Sequence, residues 1–186
     1  MILPIYIYGQ PILRKKCKLI DPCYPDLDIL IQNMFETMGN ARGVGLAAPQ
    51  VGVAIRLFLI DVHFVDETNN DKVLIFKRIC INPEIIEKNE IMQELETEGC
   101  LSIPLLSGDV MRSNSIKVTY LDENFEKCTE ILSGFSARVF QHEYDHLNGV
   151  LFVDYLSEEE KKMIKKRLKN IERGKFDQSY PVVLKK

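Results

Sequence analysis

The chain has 186 residues, 46% of them hydrophobic and 27% charged, which suits one compact domain over residues 1–186 with its own core. Its net charge of −3 argues against a DNA-binding role, and no run approaches 18 uninterrupted apolar residues, so no membrane partner is expected. The five cysteines, at 17, 23, 80, 100 and 128, are odd in number and form no Cys-x-x-Cys pair, which argues against a disulfide framework and for a reducing, cytoplasmic setting.

Residues 1–10 are apolar but lack the basic and small-residue flanks of a signal peptide, and they turn at Gly9-Gln10-Pro11 into a short helix with Pro11 first. Asp21-Pro22 and Pro25 mark a loop. Leu27, Leu30, Ile31, Met34, Phe35 and Met38 then recur at three-and-four spacing, predicting a core helix that stops near Gly39. The glycine- and alanine-rich stretch Arg42–Gly52 packs little and is chosen for backbone shape; it matches neither a phosphate-binding loop nor a dinucleotide fingerprint. Strands are expected over 53–62 and 72–81, joined by a turn at Glu67–Asp71, with the second ended by Asn82-Pro83. His63, at the end of the first, reads as a surface residue. Shorter strands follow at 84–88 and 91–96, then a loop over 105–115 carrying Asp109 and Arg112, then a strand pair at Ile116–Asp122 and Lys127–Leu132.

The chemistry concentrates in Gln141-His142-Glu143-Tyr144-Asp145-His146, on a helix expected to start near Ser133-Gly134 and stop at Asn148-Gly149. Two histidines four apart lie on one helix face with Cβ atoms about 5–6 Å apart, so both rings can reach one metal ion. The glutamate after the first is placed to take a proton from a water at that ion. A catalytic metal takes about three protein ligands and keeps a position open. Cys100, in the glycine-flexed stretch Glu98-Gly-Cys-Leu-Ser102, is the best third candidate. Asp145, Asp154 and the run Glu158–Glu160 are the rivals, although Asp145 suits orienting a histidine or holding Arg112 better. Phe135, Arg138, Val139, His142 and His146 share the inner face of this helix, as a pocket beside a metal would require.

A final helix is framed by the capping box Ser157–Glu160 and by Gly174, about residues 157–174. Met163, Ile164, Leu168 and Ile171 form its docking stripe. Its Lys161, Lys162, Lys165, Lys166, Arg167, Lys169 and Arg173 make a basic face, either simply solvated or turned to an acidic surface such as RNA.

Gly43-Val-Gly-Leu-Ala-Ala-Pro-Gln50, Glu98-Gly-Cys-Leu-Ser102 and Gln141-His-Glu-Tyr-Asp-His146 resemble, in order and spacing, the three signature motifs of the peptide deformylases. Ile12-Leu13-Arg14, Ser102-Ile103-Pro104 and Arg112 extend the resemblance over nearly the whole chain, whereas residues 62–72 and 105–110 depart from the short bacterial enzymes. Ser107 stands where many relatives carry an arginine. The resemblance implies an α+β fold, antiparallel sheets around a central metal-binding helix with a C-terminal helix outside. It implies a hydrolase that removes the formyl group from the N-terminal formyl-methionine of nascent polypeptides and releases formate.

The ligands carried over are Cys100, His142 and His146, holding one divalent ion, Fe(II) in the cell and replaceable by Zn, Ni or Co. Glu143 is the base and acid, and the Gln50 amide and Leu101 N–H stabilise the oxyanion. Gly45 and Gly99 contact the extended substrate, while Val44, Phe135 and Val139 line the methionine pocket beside the His142 ring. The basic helix would be a ribosome contact, as in some relatives. Two other functions fit the helix motif alone: a zinc endopeptidase that takes its third ligand from the downstream acids, and a non-catalytic module with a closed four-ligand metal site.

Overall fold

Alternating side chains of one buried strand set the architecture. In the computed structural model, which describes residues 1–66, 72–177 and 179–184, Leu57-Phe58-Leu59-Ile60 opens strand β3. Leu57 and Leu59 point to one apolar cluster; Phe58, Ile60 and Val62 point to another. Such a strand is buried on both faces and reads as a continuous apolar run.

In chain order the elements are β1 (Ile5–Tyr6), a 3-10 turn (Pro11–Arg14), α1 (Leu27–Asn40), β2 (Gly45–Ala47), a second 3-10 turn (Ala48–Val51) and β3 (Leu57–Asp66). They continue with β4 (Lys72–Lys88), β5 (Gln93–Cys100), β6 (Ile103–Ser113), β7 (Ser115–Leu121), β8 (Lys127–Ser133), α2 (Gly134–Leu147), a 3-10 turn (Phe152–Asp154), α3 (Glu158–Glu172) and β9 (Val182–Val183). Strands β2-β3-β4-β7-β8 form an antiparallel sheet, and β5-β6 form a separate antiparallel pair. Helix α1 buries Leu27, Ile31, Met34 and Met38 on the Leu57/Leu59 face of the larger sheet. Helix α2 buries Val139, Phe140 and Leu147 on the other face, where the Phe58 and Phe140 rings meet edge to face at 4.9 Å. This is the α+β arrangement expected, with the central helix between the sheets and α3 outside.

Several boundaries differ from the sequence reading. The first long strand starts at Leu57 rather than 53, because Ile55 instead bridges Lys18. The Glu67–Asp71 turn lies outside the described residues. Asn82-Pro83 does not end the second strand: β4 runs on to Lys88 through a register shift between Ile81 and Glu84. Asn82 there takes φ +50°, and its side chain accepts from Ile20 N (2.9 Å) and donates to Ile20 O (2.7 Å). A bulge is where a strand tolerates proline. Residues 105–113 are strand, not loop; their turn-like Ser107-Gly108-Asp109 pairs with Gly99, Glu98 and Thr97 of β5. Met163 is 75% exposed, so only Ile164, Leu168 and Ile171 dock α3. The chain's two ends meet in a parallel pairing of β1 with β9.

A candidate metal centre in an apolar-walled cavity

Helix α2 is buried almost all round, so its polar side chains must find partners inside the molecule. Arg138 Nη1 donates to Glu98 Oε1 (2.8 Å) and Val110 O (2.9 Å), and Gln141 Nε2 donates to Ser113 O (2.9 Å). These bonds fix the helix against β5 and β6, which brings the end of β5 to His142 and His146. The helix stops at Gly149 (φ +75°), where a Cβ would lie 2.6 Å from the Arg14 carbonyl oxygen, so only glycine fits.

Cys100 Sγ lies 3.3 Å from His146 Nε2. The donor atoms of Cys100, His142 and His146 all fall within 4.8 Å of one another, and among the described residues this is the group able to hold a metal ion. The rivals are engaged elsewhere. Asp145 accepts from Arg112 (2.5 Å), Asp154 is paired with Arg14 and accepts from Leu151 N (2.8 Å), and Glu160 caps α3 through Ser157. His63 pairs with Asp61 on the surface.

Glu98 orients the cluster. It accepts from Arg112 Nε and Nη2 (both 2.9 Å), from Arg138, and from His142 Nδ1 (3.0 Å), and its side chain is 5% exposed. Burial alone would raise its carboxyl, but the hydrogen bonds from Arg112 and His142 outweigh that and hold it down at about 2. An ionised Glu98 accepts a hydrogen bond from Nδ1–H, which keeps the proton on that nitrogen and leaves the His142 Nε2 lone pair for an ion. Burial also opposes charge on His142, yet the hydrogen bonds and charges of Cys100 and Glu98 outweigh it and draw the ring well upward. Burial, with His142 beside it, pushes His146 well below its ordinary value and keeps it a neutral donor.

Glu143 is buried and its Oε2 has no protein hydrogen-bond partner. Burial lifts its carboxyl to about 7, the range of a group that takes and returns protons at neutral pH. Its side chain fills the space over Gly45, where a Cβ would sit 2.8 Å from Glu143 Cδ. Gln50 is held by its oxygen, which accepts from Ala47 N (2.7 Å). Its Nε2 therefore points to Ser102 Oγ (3.2 Å) and Cys100 Sγ (3.6 Å).

A cavity of about 570 Å³ opens over these groups, within the range of roughly 300–1,000 Å³ usual for small-molecule sites. Val44, Gly45, Gln50, Gly99, Cys100, Leu101, Phe135, Val139, His142 and Glu143 all line it, and His146 lies behind them. Phe135 and Val44 are rim residues, 44% and 41% exposed, and Arg138, on the same face of α2 as Phe135, is held in an ion pair with Glu98. The sequence reading did not single out Glu98 as the histidine's partner, Ser102 as Gln50's, or Tyr180, whose hydroxyl donates to Leu101 O (2.7 Å) from the cavity wall. The first two lie inside a motif already noted. Nothing local marks Tyr180.

One thiol and two imidazoles suit a borderline divalent cation, and three donors are the number a catalytic site uses. The orphaned Glu143 oxygen fits the same reading. Fold and site together define a metallohydrolase-type protein of the α+β class. A family model described as polypeptide deformylase matches residues 2–162. The chain is 52% identical to the peptide deformylase of Christiangramia forsetii and 50% identical to that of Flavobacterium johnsoniae, in each case over 97% of this chain and 94% of the relative. Among solved structures, the Thermotoga maritima peptide deformylase aligns with TM-score 0.74 at 41% identity, covering 84% of this chain and 99% of that one. The Legionella pneumophila enzyme gives 0.80 at 36%, over 93% and 96%. The chain belongs to the polypeptide deformylase family.

Proposed function

We propose that residues 1–186 form one catalytic domain that hydrolyses the formyl group from the N-terminal formyl-methionine of nascent polypeptides, with Cys100, His142 and His146 as the metal ligands. The observation that carries this is the meeting of those three donors within 4.8 Å beside a buried, partnerless carboxylate oxygen. A divalent cation held there supplies a Lewis acid that polarises the formyl carbonyl and lowers the pKa of water. Fe(II) is the ion assigned in the cell on the family resemblance, and the donor set also accepts Zn, Ni or Co.

The chain's own groups do the rest. Glu143 takes a proton from the attacking water as the oxygen bonds to the formyl carbon, then gives it to the methionine nitrogen as the C–N bond breaks and formate leaves. The Gln50 amide N–H and the Leu101 backbone N–H donate to the formyl oxygen as it gains charge. Gly45 lies on β2, an end strand of its sheet, and Gly99 lies on β5, and both line the cavity. Both can offer backbone to an extended peptide. Val44, Phe135, Val139 and the His142 ring enclose the methionine side chain.

Formylated chains are made in the cytoplasm, which is where this reading sets the enzyme. No helix among the described residues is long and apolar enough to cross a membrane. Lys162, Lys165, Lys166, Arg167 and Lys169 of α3 are exposed, and a contact with ribosomal RNA is the reading their charge supports.

The test is formate release from a formyl-Met-Ala-Ser peptide by the metal-loaded protein. Glu143→Ala and Cys100→Ser are expected to lower it at least 100-fold, in line with loss of about 10²–10⁴-fold from acid–base catalysis. Full activity in either variant contradicts the roles given.

A further inference from the structure

The family match ends at residue 162, and the chain after α3 returns to the cavity. Gly174 (φ +68°) turns it, and Phe176, Asp177, Ser179 and Tyr180 then line the wall next to Leu101. Immediately afterwards the segment is tied down: Ile5 N donates to Pro181 O (2.8 Å), and Val182-Val183 pair with Ile5-Tyr6.

Both ends of the chain therefore grip one short stretch. From the N-terminal side, Tyr8 N donates to Ser102 O (2.7 Å); from the C-terminal side, the Tyr180 hydroxyl donates to Leu101 O (2.7 Å). Two successive carbonyls are fixed just after Cys100. On the far side, the Leu101 side chain packs so closely that a Cβ on Gly43 would lie 2.7 Å from its Cδ1. Leu101 is thus held at its carbonyl, at the carbonyl of the next residue and at its side chain, one Cα away from the peptide that carries its N–H.

We infer that Tyr180 is a positioning residue of the deformylation site, holding Leu101 by its carbonyl so that the N–H on the other side of the same Cα meets the formyl oxygen, and that the segment after α3 is a working wall of the substrate cavity. The inference rests on the deformylase reading. A group that acts on a donor used in the transition state should affect kcat rather than KM. A displacement near 1 Å can cost up to about 100-fold.

The experiment compares the full-length wild type with Tyr180→Phe, which keeps the ring and removes the hydroxyl. With metal-loaded protein and formyl-Met-Ala-Ser, kcat is expected to fall about 5- to 50-fold with KM changed less than about twofold. In parallel, amide hydrogen exchange of residues 99–102 is expected to speed up at least about fivefold in Tyr180→Phe while the exchange of β3 stays at the wild-type rate. An unchanged kcat, or a raised KM with kcat intact, overturns the positioning role. Unchanged exchange at 99–102 overturns the clamp itself. A wild type that releases no formate sinks the deformylase reading instead, and the exchange arm still decides whether Tyr180 restrains this stretch.

Discussion

At Glu98 two arginines and a histidine share one buried carboxylate, and every partner is distant in sequence: Arg112 by 14 residues, Arg138 by 40 and His142 by 44. That separation is why a sequence reading passes over it. Histidines four apart on a helix announce themselves through local periodicity, as His142 and His146 do; a strand glutamate has no such signature until the fold closes around it. Cys100 was reachable because its glycine-flanked setting was poor for a packed side chain and because Glu98–Ser102 resembles a family motif. The physical consequence can be tested with Glu98→Gln. The amide keeps the shape but loses the charge, and its NH₂ end faces guanidinium donors. Metal affinity is expected to drop about 10- to 100-fold, read by competition with a chromogenic chelator. Stability should fall by about 3–5 kcal/mol, because Arg112 and Arg138 lose a buried counter-charge. Wild-type affinity in this variant would deny Glu98 its orienting role.

Among the elements, those with clean alternation or helical spacing were legible, and those carrying turn residues inside a strand were not. Asn82-Pro83 and Ser107-Gly108-Asp109 read as breaks, yet a bulge absorbs the first and β5 pairs with the second. Gly108 serves packing: a Cβ there would sit 2.8 Å from Leu156 Cδ2, so β6 meets the segment before α3 closely. Strands β4, β7 and β8 carry their own polar tie. Arg78 Nε and Nη2 donate to the two Glu130 oxygens (2.9 and 3.1 Å), and the Tyr120 hydroxyl donates to the same carboxylate. Burial raises the Glu130 carboxyl, but the bonds from Arg78 and Tyr120 outweigh it, and the net shift is downward. A carboxyl lowered in the folded state adds stability that is whole above its unfolded value, about 4.3, and is lost as pH falls through the folded one. Glu130→Gln should therefore melt below wild type at pH 7. The gap should narrow once the pH drops below about 4, as thermal scans at several pH values would record. A gap that widens on acidification would have the wrong sign for this arrangement.

Across the whole molecule, the metal site joins pieces that the chain keeps apart. Cys100 ends β5, His146 lies 46 residues later on α2, and the first and last strands of the fold pair beside the same stretch. The tail's part in this was illegible: residues 175–184 have no periodicity, and Tyr180 gains meaning only where the fold returns it to Leu101. A cation bound by this cluster links the small sheet to the central helix in the folded state and has no equivalent site in the unfolded chain. It should stabilise in proportion to the logarithm of its concentration over Kd, about 2.7 kcal/mol at one hundred times Kd. For a chain of this size each kcal/mol moves Tm by about 2–4 °C, so a strong chelator is expected to lower the calorimetric Tm by roughly 5–10 °C. Adding back Fe(II) anaerobically, or Zn, should restore it. Cys100→Ser separates this linkage from any direct effect of the chelator on the protein. With the sulfur gone, Tm should respond weakly to chelator or added metal, and a wild type equally indifferent to both would mean that these three side chains do not bind an ion that supports the fold.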